Sequence, residues 1–212
     1  MDDSFAGGLT LEGSLIRELD DKTSVAIGLN YAISAEKRKA YGDTEEVERK
    51  TLGVDISAVR EYGNTRVMAT IGAYNNRSAE RDSSNDTQVY EDEVKYIGLV
   101  ANHKIDESYS IGGSYAKFKG MVKRENYGVY EDNKKLKTWS LYGQYKQDDY
   151  ALRVGYRDYR FDDVSDDEWL ESDALFVELS YKFGNASERS YMLINEKPDY
   201  LTYGGVVAGT LE

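Results

Sequence analysis

A two-residue rhythm governs this chain. From Ser24 to Ser34, Val25, Ile27, Leu29, Tyr31 and Ile33 alternate with Ala26, Gly28, Asn30, Ala32 and Ser34. A β-strand sends successive side chains to opposite faces, so this segment has one large apolar face and one small, polar face. The same alternation recurs in Leu52, Val54, Ile56 and Ala58, in Val67, Ala69, Ile71 and Ala73, and in Leu152, Val154 and Tyr156. The connections alternate too. Short polar turns at 20–23, 61–64, 106–108 and 147–149 take turns with long polar stretches at 36–46, 79–92, 123–135 and 162–173, the last the most acidic. Clipped turns on one rim and longer loops on the other describe an up-and-down barrel that crosses a membrane with strands.

The spacing predicts strands at about 7–19, 24–35, 48–60, 65–78, 93–105, 108–122, 136–147, 150–161 and 174–183, with a possible tenth at 201–209. The expected fold is all-β: a single antiparallel up-and-down transmembrane β-barrel of about ten strands (8–12) across residues 1–212. A soluble lipocalin-like barrel or sandwich would alternate as well, but with its apolar residues turned inward. The polar faces here carry many Gly, Ala and Ser residues, which suit a cramped interior, while the large apolar residues could cover a lipid belt.

Composition narrows the class further. The chain has no Cys, which excludes disulfides and thiolate metal sites. A formal net charge of −12 argues against nucleic acid, because phosphate binding needs a basic surface. No run of about 18 apolar residues is present, so no transmembrane helix is expected. No leader-like segment opens the chain, so an envelope protein with this sequence is expected to be a processed or engineered form. Tyr31, Tyr109, Tyr145, Tyr150, Tyr156 and Tyr181 fall on or near apolar faces, often toward strand ends, as interfacial aromatic girdles do.

Leu175, Val177, Leu179, Tyr181 and Phe183 alternate through residues 174–183. This segment resembles the C-terminal assembly signal of Gram-negative outer-membrane β-barrel proteins, which ends in an aromatic residue. The resemblance implies residence in the bacterial outer membrane, outer-membrane lipid and lipopolysaccharide as surroundings, and the barrel assembly machinery as a partner. In that class Phe183 would stand at or near the chain end, yet residues 184–212 follow it. The stretch 184–200 reads as a linker or extension, flexible over 184–190, and 201–209 as a final strand. With short turns placed in the periplasm, both the first and ninth strands descend, and a rising tenth would bring the two chain ends together at an outer loop. The expectation is a circularly permuted barrel, or one cut from a larger protein. A natural extension lying in the periplasm is the competing reading.

Little in the chain points to catalysis. The only histidine, His103, lies beside the short turn at Asp106, on the rim opposite the loops where resembling barrel hydrolases work, so no enzyme is expected. Acidic groups such as Asp162-Asp163 and Asp166-Asp167-Glu168 lack the spacing of a calcium loop, and no metal or cofactor is expected. Charged residues on the polar faces are more informative. Glu12, Asp55, Arg153, Arg157, Glu178 and Lys182 are candidates for the lumen or its constriction, with Arg153 and Arg157 expected close to Glu178 and Lys182. Two functions follow as expectations. One is a narrow channel or export pore for polar solutes or polymer. The other is a non-conducting scaffold or receptor whose acidic loops bind a partner or divalent ion.

Overall fold

A computed structural model describes residues 5–40, 43–81, 87–124, 132–162 and 169–181, together with Ser187, Arg189, Met192 and Leu193. Nine strands run in chain order: β1 (Phe5–Glu18), β2 (Thr23–Ala40), β3 (Asp43–Tyr62), β4 (Thr65–Arg81), β5 (Thr87–Lys104), β6 (Tyr109–Arg124), β7 (Asp132–Gln147), β8 (Tyr150–Asp162) and β9 (Trp169–Tyr181). They form one sheet in which each strand pairs antiparallel with its sequence neighbours, and β1 and β9 are its two edges among the described residues. The expected final strand at 201–209 and Phe183 lie outside the described residues.

The loop-side hairpins are longer than the sequence suggests. The pairing of β2 with β3 continues to Ala40 opposite Asp43, through most of the stretch expected to be a loop. Residues 79–81 and 87–92 are likewise strand, paired between β4 and β5. Alternation of apolar and polar residues ends before pairing ends. Beyond the apolar belt, backbone ladders with opposite-charge pairs such as Lys37–Glu46 (2.7 Å) carry the hairpin onward.

The opposite rim is tight. Gly63 takes a positive φ of 59° in the turn from β3 to β4, and Asp148 takes one of 52° between β7 and β8. Such positions favour Gly, Asn and Asp, which tolerate the left-handed region. Asp20 and Asp106 cap their own turns: Asp20 Oδ1 accepts the Lys22 N–H at 2.8 Å, and Asp106 Oδ1 accepts the N–H groups of Ser108 and Tyr109 at 2.8 Å.

The sheet decides which face is inside. Leu15 is 81% exposed, Leu29 62% and Leu175 84%, whereas Ser24, Asn30, Asp55, Ser57 and Thr70 are buried. The apolar rows therefore point outward and the polar rows inward. A water-soluble protein does not present a continuous outer belt of this kind. Lipid does not penalise it.

Candidate functional site in the barrel lumen

The inner wall is a hydrogen-bonded polar lining. The Ser57 and Thr70 hydroxyls lie 2.8 Å apart, and Ser57 donates to Asp55 Oδ1 at 3.2 Å. Thr51 donates to Asn76 at 3.1 Å, and Ser114 and Ser140 meet at 2.7 Å. Apart from Ser57–Asp55, which lies within β3, these are cross-strand partners on the inner rows, so neighbouring strands satisfy the polar groups each turns inward.

Of the sequence candidates, Asp55 is 2% exposed on this wall. Arg153 is also buried there, directly opposite Glu178 in the β8–β9 register, and Nη1 donates to Glu178 Oε2 at 3.3 Å. Its guanidinium also lies 4.5 Å from the centre of the Tyr142 ring, a distance at which the cation is attracted to the π face. Arg157 does not join that group. It stands two pleat repeats further toward the loops, opposite Ala174, with its guanidinium 4.7 Å from the Phe176 ring centre. Glu12 occupies the register position opposite Asn30. Lys182 lies outside the described residues.

Sequence reasoning missed two features of the lumen. The first is an aromatic collar. Tyr74, Val94, Tyr96, Ala116, Phe118 and Leu136 form one buried cluster inside β4–β7, with the Tyr96 and Phe118 rings stacked at 5.4 Å. Their signal was available: each of these tyrosines stands on a small, polar row and faces a glycine across the ladder. Tyr74 pairs with Gly53, Tyr96 with Gly72, and farther along the wall Tyr142 pairs with Gly112. A Cβ on Gly72 or Gly112 would overlap the partner ring, so the glycine is the socket in which the ring lies flat.

The second is a wedge at the turn-side mouth. Met192 and Leu193, helical and fully buried, pack against Ala26, Val59, Met68 and Val100, with Ile16 beside them. Arg189 latches this wedge to the rim. Its Nε donates to Ser24 Oγ at 3.0 Å and Nη1 donates to the Asp21 carbonyl. Its guanidinium also pairs with Glu18 at 3.3 Å and Glu61 at 3.5 Å. Glu61 is shared with Arg66 at 3.1 Å. All-β periodicity gives no hint of it.

Outside, aromatic residues frame the apolar belt at both edges. Tyr109 and Tyr145 meet at 5.1 Å near the turn rim, and Trp139 and Tyr156 at 5.5 Å near the loop rim. Exposed His103 lies on this outer surface, its Nδ1 2.9 Å from the Thr65 hydroxyl.

Solved structures with a similar fold include two autotransporter β domains. One is the translocator domain of the autotransporter NalP from Neisseria meningitidis, with a TM-score of 0.60 and 11% identity over 86% of this chain and 71% of that one. The other is the β domain of the Bordetella autotransporter BrkA, with a TM-score of 0.53 and 11% identity over 84% of this chain and 79% of that one. The fold is that of an outer-membrane β-barrel. No protein-family profile and no curated protein sequence matches the chain. The architecture is thus shared with autotransporter β domains while the sequence is not. A barrel needs only the alternation of its rows, so very different residues can build it. An inside-out polarity and two aromatic girdles are the features of a β-barrel that spans a membrane.

Proposed function

We propose that this barrel is an outer-membrane export pore with a narrow polar bore, suited to small polar solutes or an extended polymer and held shut at its periplasmic mouth. The wedge carries this reading. Met192 and Leu193 fill the mouth against Ala26, Val59, Met68 and Val100, and Arg189 ties them to the rim through Ser24, Glu18 and Glu61. The Glu18 side chain is 56% exposed, so its pair with Arg189 contributes about 0–1 kcal/mol and forms a latch that can be released. Behind it the inner wall alternates polar groups such as Ser57, Thr70 and Asn76 with the aromatic collar, and the Arg153–Glu178 and Asp55 charges set the bore's selectivity. The similarity to translocator domains supports an export role over a solute-only channel.

A second reading is favoured by the filled interior itself: a scaffold that never conducts and works through its loops. Conductance of the refolded chain in planar bilayers separates the two. The wild-type chain should show rare openings, and Arg189→Gln with Met192→Ser and Leu193→Ser should give a sustained open level. Silence from a variant that still shows heat-modifiable gel mobility would leave the scaffold.

A further inference from the structure

The inner wall of β5–β9 carries an arc of polar side chains at one height, toward the turn rim. Lys104, Ser110, Gln144, Arg153 and Glu178 stand opposite one another in the register of five successive strands, all on inward rows. Side chains so placed have Cβ atoms about 5 Å apart, so the arc is a continuous ledge. One member of it is out of balance. Gln144 is 3% exposed, and neither its Oε1 nor its Nε2 has a hydrogen-bond partner. A buried amide in that state costs the desolvation of both groups, and native interiors rarely carry one. Its neighbours on the ledge are occupied: Asn102 donates to Ser110 Oγ at 3.4 Å, and Arg153 to Glu178 Oε2 at 3.3 Å.

The chemistry of the ledge selects a class of ligand. Its charges are already matched, Arg153 with Glu178 and, at the other end, Lys104 beside Asp106 and Glu107 in a small rim cavity. An anion or a cation therefore gains little there. What the ledge lacks is an acceptor and a donor for the Gln144 amide. The hydroxyls of a neutral solute supply both, since each one gives and takes a hydrogen bond. The next row toward the loops is Gly112, Tyr142, Gly155 and Phe176, again in register. The Tyr142 ring lies over Gly112 and the Phe176 ring over Gly155, where a Cβ would overlap them. Flat rings beside a few fixed polar groups suit a sugar, which has an apolar C–H surface and a rim of hydroxyls.

We infer that the β5–β9 ledge is a subsite for a neutral saccharide, centred on the Gln144 amide. The inference rests on the pore reading for access: the amide is covered in the shut barrel, and the ligand reaches it once the mouth is open. The unpartnered amide also separates binding from a structural role. Gln144→Leu keeps the shape and removes two unsatisfied groups, so the barrel should unfold at the same urea concentration as the wild type or a higher one. A glutamine kept for stability would show a loss instead.

Labelled maltotriose is the probe, dialysed to equilibrium against the refolded full chain in detergent micelles. The variant with Arg189→Gln, Met192→Ser and Leu193→Ser should bind it better than the wild type does. Adding Gln144→Leu should weaken binding about tenfold without lowering the urea midpoint. Asn30→Leu should leave binding unchanged: that side-chain oxygen is also unpartnered, but it stands on β2 between Glu12 and Gly53, away from the ledge. If the triple variant fails to fold, Gln144→Leu is compared with the wild type directly, and the same loss is expected. Absence of binding by folded protein, or binding indifferent to Gln144→Leu, would overturn the subsite. Competition by triglycine would reassign the ledge to a peptide and overturn the saccharide. A triple variant that binds maltotriose through Gln144 yet stays silent in planar bilayers would overturn the pore and leave the subsite standing.

Discussion

The inner wall depends on single residues whose absence of bulk is as important as their chemistry. Gly72 and Gly112 leave room for the Tyr96 and Tyr142 rings, so Gly72→Ala and Gly112→Ala should each cost about 1–3 kcal/mol, as overpacking does. Urea unfolding of the barrel in vesicles measures it, and Gly13→Ala, at an open position, should be near neutral. Adding Tyr96→Ala to Gly72→Ala should restore part of the loss, which a purely conformational effect of alanine would not show. Arg153 presents the electrostatic counterpart. Arg153→Met leaves Glu178 without its guanidinium partner and should shift the bore's ion selectivity toward cations, read from reversal potentials across a salt gradient. The polar-row positions of Asp55, Arg153 and Glu178 were legible from the period-two pattern. The separation of Arg157 from Glu178 was not, because a strand pattern carries no register: only the pairing of Arg153 with Glu178 places Arg157 opposite Ala174.

At the scale of the element, hairpins and turns behave differently on the two rims. The Asp20 carboxyl is held below its ordinary value of 3.8, chiefly because it accepts the Lys22 backbone N–H. A carboxyl depressed on folding contributes while it is ionised, so its support of the β1–β2 turn is complete at neutral pH and is lost only as acid carries the solution through the lowered value. The Asp20 carboxyl resonance should therefore titrate below 3.8, and Asp20→Asn should abolish any acid dependence of protease cutting in that turn. The turn rim was readable because Gly63 and the Asp-rich turns announce themselves by residue type. The long hairpins were not, since paired strands beyond the membrane need no apolar face and look like loop in a single sequence. The helical wedge was equally hidden: its short stretch is too brief for helical period to register, and its partners lie far away in the chain, Arg189 reaching Ser24 across the whole barrel sequence.

For the whole molecule, strand parity makes a demand. β1 and β9 both run from the loop rim to the turn rim, so closing nine strands would pair these edges in parallel. Backbone edges cannot stay unpaired in hydrocarbon, and an all-antiparallel closure needs an additional rising strand. Residues 201–209, which begin eight positions after Leu193 in the sequence, are our proposed source. Removing residues 201–212 should then abolish heat-modifiable mobility, whereas joining Glu212 to Asp2 and opening the chain after Phe183 should preserve it. What the sequence by itself determined was the alternation: two-faced strands, their order, the tight rim and the residues that share each row, all consequences of local backbone geometry. The tertiary structure decided which partners stand opposite and what fills the mouth. Curvature and register are properties of many strands pairing at once, and no single stretch of residues contains them.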